Sequence, residues 1–521
     1  MAAEVPRPRI SPGLRRTLRG LVSALTAIAV VLITGAVLAS GLLNPAPAPQ
    51  AVPARQVDIG AGPLTLVCPD APVSSTGEAG ADIDYDAEFS TDTEQSRTRA
   101  ETVVTQPDGA AAGTATLTEL GEAGQDLSAG TDGLVGTLDQ TTDAAVLRAE
   151  PAEERTPLGA ATAVVRAESG DLRGLSAAAC LPPSSTQWLV GGMTKLGSSA
   201  ARLLLTNAGQ TPVTANVEVW GELGPLESGA QILVPPDESR SLLLETLSLE
   251  ERLAVRITAD GGQIAAAIQD SALSGVVPAG TDVVTTTADP ATRINIGPVH
   301  VGEAEVTDHP PVLRLVNPSR TQASVSVDLF TESGPIVLPG AQDQVLEPGT
   351  VTDVSLAGID PGALSVQVIS EVPVTGSVLR TVVGEAGELD PDEPVRDRAW
   401  IAAQPAPERG VLAVPGELAD TVAVVLANPL PRAQQVRLTP ITRDGTRGEV
   451  TTVEVEAGSA TVVDPDQVAL DEVIALEISG ESVLATAMVR AEAPDGPMLS
   501  MLNLTPDAAA EQQVQVRLGA S

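Results

Sequence analysis

Aromatic residues are nearly missing from this chain, which holds three Trp, two Phe and one Tyr in 521 residues. Sugar-cleaving sites need only two carboxylates, which 68 acidic residues would supply, but they are normally walled by rings that stack on the sugar, and those rings are scarce here. Hydrophobic cores must be built from Val, Leu, Ile and Ala instead, and should be thin. Histidine, the usual side-chain base and transition-metal ligand, occurs twice, as His300 and His309. Both fall in a Pro- and acid-rich join that reads as surface loop. Cys68 and Cys180 are the only cysteines and stand too far apart for a zinc site. The Gly-x-Ser-x-Gly turn of serine hydrolases is absent, so Ser-rich turns such as Leu196-Gly197-Ser198-Ser199 read as loops. Lys195 is the only lysine, and 30 basic residues against 68 acidic ones leave a formal charge of −38. Such a body repels phosphate backbones and anionic headgroups, which argues against nucleic acid as a partner. Part of the Arg-for-Lys and Ala bias is also what a GC-rich genome would give.

No catalytic, cofactor-binding or metal-ligating residue is assigned, and the chain is read as no enzyme. The strongest metal pattern is Asp82-Ile83-Asp84-Tyr85-Asp86, where alternate carboxylates could converge on Ca²⁺. It departs from a calcium-binding loop at Ala87, where the turn needs Gly, and at Thr93, where a bidentate Glu belongs. A solvated acidic stretch is the plainer reading, here and in the join Glu388-Leu389-Asp390-Pro391-Asp392-Glu393-Pro394.

What is present first is an address. Residues 1–20 carry Arg7, Arg9, Arg15, Arg16 and Arg19 against Glu4, and residues 21–43 carry no charge. A helix of that length rises about 1.5 Å per residue and spans a hydrocarbon core of roughly 30 Å. The arginines keep the N-terminus cytoplasmic, which puts everything after the helix outside the cytoplasm. The competing reading is a cleaved signal peptide ending near Val37-Leu38-Ala39, but the apolar stretch exceeds a signal core of about 7–15 residues. Residues 44–60, with Pro45, Pro47, Pro49 and Pro53, form a linker near polyproline II.

The second feature is self-similarity. Arg202 to Ala208, Leu313 to Pro318 and Val424 to Pro429 are apolar runs stopped by Asn207, Asn317 and Asn428, with a period of about 110 residues. An alternating strand follows each, then a turn, then two closing strands. A degenerate copy lies upstream, where Ala161 to Glu168 nearly repeats Ala485 to Glu492. Short alternating strands punctuated by Gly, Pro, Asn and Asp predict an all-β chain of tandem Ig-like sandwiches. The alternative is a propeller-like or otherwise closed arrangement of the repeats. The expected modules are 61–186, 187–292, 293–398 and 399–507, with a tail at 508–521.

Cys68 opens the first module and Cys180 falls on its last strand, so in an oxidising compartment they read as one disulfide. Closing so long a loop stabilises by ~4–5 kcal/mol in the chain-entropy model. Two free thiols are the alternative. Trp188 and Trp400 fall at what read as matching module starts, and with Trp220 they are expected as core tryptophans rather than a ligand platform.

The Trp188-Leu189-Val190-Gly191-Gly192 segment, the strand from Arg202 to Asn207 and the Cys68/Cys180 pair resemble a family of actinobacterial proteins of unknown function. That resemblance implies an N-terminally anchored, exported, Ala/Val-rich β-protein, associated with cell-envelope glycosyltransferase gene neighbourhoods, and carries over no catalytic residue. The function expected is therefore a non-enzymatic, single-pass envelope protein, structural or interacting, whose partners are the membrane and an envelope protein or polysaccharide. The alternatives are a carboxylate-based cell-wall or polysaccharide-active enzyme and a ligand-binding adhesin or receptor.

Overall fold

A computed structural model of the chain describes residues 20–34, 55–58, 60–74, 96–105, 113–508 and 513–516, with breaks at 153, 196–197, 228, 339, 388–389, 465–467 and 469. Two units result, one of residues 1–58 with 513–521 and one of residues 59–512. In the first, a helix covers residues 20–34 and the strand Arg55–Asp58 pairs antiparallel with Gln513–Val516. Among the described residues no helix is long and apolar enough to cross a membrane. Residues 35–43 of the expected span, the linker prolines and the Asp82–Asp86 stretch all lie outside the described residues.

The second unit is all-β apart from short helical turns, as the alternating pattern predicts, and one strand plan occurs four times. The first copy uses β1 (Leu64–Val67), β2 (Arg97–Thr105), β3 (Ala115–Glu119), β4 (Gly133–Asp139), β5 (Ala145–Ala149), β6 (Leu158–Ala167) and β7 (Gly174–Ala179). The second uses β8 (Thr186–Val190), β9 (Ser199–Asn207), β10 (Val213–Gly221), β11 (Glu238–Leu243), β12 (Ala254–Asp260), β13 (Ala265–Ser274) and β14 (Val277–Val284). The third uses β15 (Ala291–Val301), β16 (Val312–Val316), β17 (Ala323–Thr331), β18 (Val351–Ser355), β19 (Gly362–Ala386) and β20 (Pro394–Gln404), with helix α1 (Glu303–Asp308) between β15 and β16. The fourth uses β21 (Arg409–Ala413), β22 (Thr421–Asn428), β23 (Gln434–Thr442), β24 (Ser459–Val462), β25 (Val473–Ser479), β26 (Leu484–Ala493) and β27 (Gly496–Asn503).

In every copy the first, third and fifth strands form one sheet, ordered β1-β5-β3, β8-β12-β10 and β21-β25-β23. The remaining four form the other, ordered β4-β2-β6-β7, β11-β9-β13-β14 and β24-β22-β26-β27. The third copy fuses its fifth and sixth strands into the 25-residue β19, which pairs with β17 and β15 in its first half and with β16 and β20 in its second. Each pair of sheets encloses an aliphatic core, as Leu203, Leu205, Val217, Val255 and Ile268 do in the second copy.

The terminating asparagines explain the repeated punctuation. Asn207 Nδ2 donates to the carbonyls of Thr211, Val234 and Pro235 at 2.8–3.1 Å, while its Oδ1 accepts from Gly209 N–H at 3.0 Å. Asn317 and Asn428 repeat this with Thr321, Leu346 and Glu347, and with Arg432, Val455 and Glu456. All three are fully buried, so one side chain clasps two turns that the sheets leave unpaired. The first copy has no Asn at the end of β2, which closes on Val104 and Thr105, in line with its weaker repeat signal.

The four copies do not stand in a row; the closed arrangement is the one observed. The three-stranded face of each copy packs on the four-stranded face of the next. Val67 and Val146 meet Ala208, and Trp188, Val190, Trp220 and Ala254 meet Val316 and Val351. Ala363 meets Val425, Ala427, Ala460 and Leu484. Finally Val411, Ala413, Ile441 and Ile474 of the fourth copy meet Val103, Leu158 and Ala160 of the first. A head-to-tail contact repeated until it meets its start makes a ring without an unpaired end. The closing strands β7, β14, β20 and β27 come together at its centre. They approach so closely that a Cβ on Gly174 would lie 2.8 Å from the Thr281 carbonyl oxygen, and one on Gly280, at φ +104°, 2.7 Å from Arg398 N. Only glycine fits there.

Candidate functional site

Two places gather chemistry-bearing groups: the ring axis and a cleft beside α1. At the axis, β7, β14, β20 and β27 contribute the buried polar side chains Ser176, Asp282, Asp397 and Ser500. Asp282 accepts from Trp400 N–H at 2.6 Å and from Ser500 Oγ at 3.0 Å. Asp397 accepts from Leu499 N–H at 2.8 Å and Leu175 N–H at 3.1 Å. Ser176 Oγ donates to the Thr281 carbonyl at 2.9 Å, and Ala177 N–H donates to Ser500 Oγ at 2.9 Å. Each bond joins different copies of the repeat, so the axis is a junction of all four. Burial pushes the Asp397 carboxyl up to about 7, against the N–H groups of Leu499 and Leu175 and the charge of Arg173. Burial also raises Asp282 well above the usual carboxylate range, and the neighbouring Asp397 adds to this.

Around the axis, charged side chains bridge neighbouring copies. Arg173 is fully buried and binds Asp495 through Nε at 2.8 and 2.9 Å and the Gly496 carbonyl at 2.9 Å. Arg314 pairs with Asp353 at 2.8 Å and reaches the carbonyls of Gly192 and Glu251 at 2.6 and 3.1 Å. Asp270 accepts from Arg398 at 3.0 Å and from Trp400 Nε1 at 2.7 Å. Buried charges are tolerated only when paired and hydrogen-bonded like this.

The cleft lies where the third and fourth copies meet and encloses about 400 Å³. Helix α1 forms one wall. Its first turn carries Glu303 and Glu305, which suits the positive end of the peptide dipoles, and Glu305 Oε1 accepts from Gly302 N–H at 3.4 Å. Glu305 turns inward and binds Arg380 at 2.6–3.0 Å. Arg380 is fully buried; burial lowers its pKa and Glu305 opposes that. Strand β26 forms the other wall with Arg490 and Glu492, and Val382, Val383, Met498 and Leu499 line the rest. Arg490 reaches Glu305 only at 3.9 Å.

His300 and His309 flank this region, and only His309 is outside the sheets. His300 lies on β15, donates its N–H to Met488 Sδ at 3.1 Å, and has a buried Nδ1 without a partner. Burial lowers its pKa, aided by Arg490 and Arg380. The surface-loop expectation for it fails because β15 runs longer than the apolar pattern around Ile294 and Ile296 indicates. His309 caps α1 and lines the cleft.

Cys68 and Cys180 form the expected disulfide, both sulfurs buried. Trp188, Trp220 and Trp400 are buried, but not as equivalent residues. Trp188 and Trp220 lie 4.8 Å apart at the contact with the third copy, whereas Trp400 sits on β20 and packs into the second copy's core. Ser198 lies in a turn, as expected, and its N–H bonds Lys195 O at 3.0 Å. Among the described residues no group of three or more His, Cys, Asp or Glu is placed to hold a metal ion.

Sequence reasoning missed the axial carboxyls and the bridging arginines. Their signal was a charge inside an apolar strand: Arg202 and Arg314 in the Asn-terminated runs, Asp270 after Ile268, Arg380 after Leu379 and Asp397 before Trp400.

No curated protein matches the chain. A family model matches residues 135–466, from the fourth strand of the first copy into the fourth copy. The chain belongs to that family, DUF5719, a family of unknown function.

Proposed function

We propose that this protein is a non-enzymatic component of a cell envelope. In this reading four Ig-like sandwiches form a rigid ring outside the cytoplasm, tethered by the uncharged segment 21–43 and its linker, and the ring holds or presents an envelope protein or polysaccharide. The resemblance to actinobacterial exported proteins gives the setting. The observation that carries the proposal is where the buried charge goes: Arg173, Arg314, Asp270, Asp282 and Asp397 are bound to groups of other copies, so the polar interior serves to hold the ring together. The Cys68–Cys180 disulfide supports an oxidising compartment.

The test is labelling of intact native cells with a membrane-impermeant maleimide. Ser333→Cys, on an exposed turn, should react in intact cells, and Ser11→Cys only after permeabilisation. A crosslinker attached at Ser333→Cys should then capture an envelope component. The reverse labelling pattern would refute the address, and repeated capture of nothing would refute the presenting role.

A further inference from the structure

The repeated segment supplies an internal comparison. Arg166 and Arg490 occupy the same place in the near-identical runs Ala161 to Glu168 and Ala485 to Glu492. Arg166 has close partners where the first copy meets the fourth: it lies 3.0 Å from Glu168, 2.9 Å from Asp420 and 2.7 Å from the Glu492 carbonyl. Arg490 faces the corresponding loop of the third copy, where α1 replaces the segment carrying Asp420. There, among the described residues, the guanidinium's ion-pair partner is Glu305, 3.9 Å away and already held by Arg380. The space that protein groups fill around Arg166 is, around Arg490, a cleft of about 400 Å³. That volume is within the range of small-molecule sites.

The lining specifies the chemistry. Arg490 disfavours a simple cation, and Glu303, Asp308 and Glu492 disfavour a simple anion. Val382, Val383, Met498 and Leu499 give an apolar floor. A guanidinium on one wall and carboxylates on the opposite helix suit a molecule bearing both charges around an apolar body. We propose that this cleft binds a zwitterionic ligand, a free amino acid or dipeptide, with its carboxylate on Arg490 and its ammonium among Glu303, Asp308 and Glu492.

Calorimetric titration of the full chain with the leucyl-leucine dipeptide tests this, alongside the N-acetylated dipeptide and the dipeptide amide. The dipeptide should bind, and each blocked form should bind about tenfold more weakly or worse, since a charge-assisted hydrogen bond is worth roughly 1.5–3 kcal/mol. R490Q should weaken the dipeptide to a similar degree, leave the amide unaffected and keep the parent's melting temperature. Should R490Q fold poorly, the E303Q/D308N double variant on the exposed face of α1 should weaken the dipeptide without affecting the acetylated form. No binding at millimolar dipeptide, equal affinity for either blocked form, or unchanged binding by the variants would overturn the proposal.

Discussion

Asn207, Asn317 and Asn428 each place one amide where two turns need a donor, and the cost of losing it is local. Asn317→Ala leaves the carbonyls of Thr321, Leu346 and Glu347 without that donor inside a buried site. A loss of about 2–4 kcal/mol is expected from chemical denaturation, whereas Arg320→Ala, at an exposed position of the same turn, should cost far less. Asp397 gives a second residue-scale expectation. Its folded pKa, about 7, lies above the ordinary value of 3.8, so the folded state holds the proton more tightly than the unfolded chain does. That contribution is fully present below about pH 4 and is lost as pH rises through about 7, a change on the order of 4 kcal/mol. Denaturation at about pH 5 and about pH 8 should show the parent losing stability relative to Asp397→Asn over that interval. A difference independent of pH would mean that Asp397 is ionised at the axis throughout.

At the scale of elements, the closing strand of each copy ends by crossing to the opposite sheet. Thr286–Thr287 pairs with β8, the end of β20 with β15, and Thr505–Pro506 with β21. In the first copy only the bridge between Val67 and Leu181 remains, and the adjacent Cys68–Cys180 disulfide fastens the two sheets where the ladder is missing. Reduction should therefore loosen the first copy before the others. The disulfide spans 112 residues, and its removal in Cys68→Ala/Cys180→Ala should cost up to about 4–5 kcal/mol. Hydrogen exchange would locate the loss, expected in β1, β5 and β7 and not in β22 or β26.

The same elements show why some of the structure was legible beforehand. Alternation in Val213 to Trp220 and in Ala323 to Phe330 reports one buried face, and Asn at a strand end reports a turn, because both signals are local. The strand plan followed from them, and the disulfide from two cysteines that open and close one module. Which face of one copy meets which face of the next depends on residues hundreds of positions apart, such as Ala160 and Val411, and no periodicity records it. The candidate cleft was hidden for the same reason. Arg490 reads like Arg166 in sequence, and only the different loops opposite them, α1 in one case and Asp420 in the other, leave one with a carboxylate at 3.9 Å and the other at 2.9 Å.

For the whole body of residues 59–512, the axis makes the four copies interdependent. Gly174→Ala would drive a Cβ to within 2.8 Å of Asp397 Oδ1 and of the Thr281 carbonyl oxygen, touching three copies at once. Unfolding of that variant should begin at a lower denaturant concentration for probes in every copy, not in the first alone, because overpacking of about 1–3 kcal/mol is felt through the shared junction. Closure itself rests on the contact between the first and fourth copies. Arg173 and Asp495 are 322 positions apart in sequence, yet form a two-oxygen ion pair at 2.7–2.9 Å. The decisive measurement is a double-mutant cycle with Arg173→Met, Asp495→Ala and the pair together. In a closed ring the two substitutions should couple by about 1–3 kcal/mol, whereas copies strung in a row would place the residues far apart and make their effects additive within about 0.5 kcal/mol.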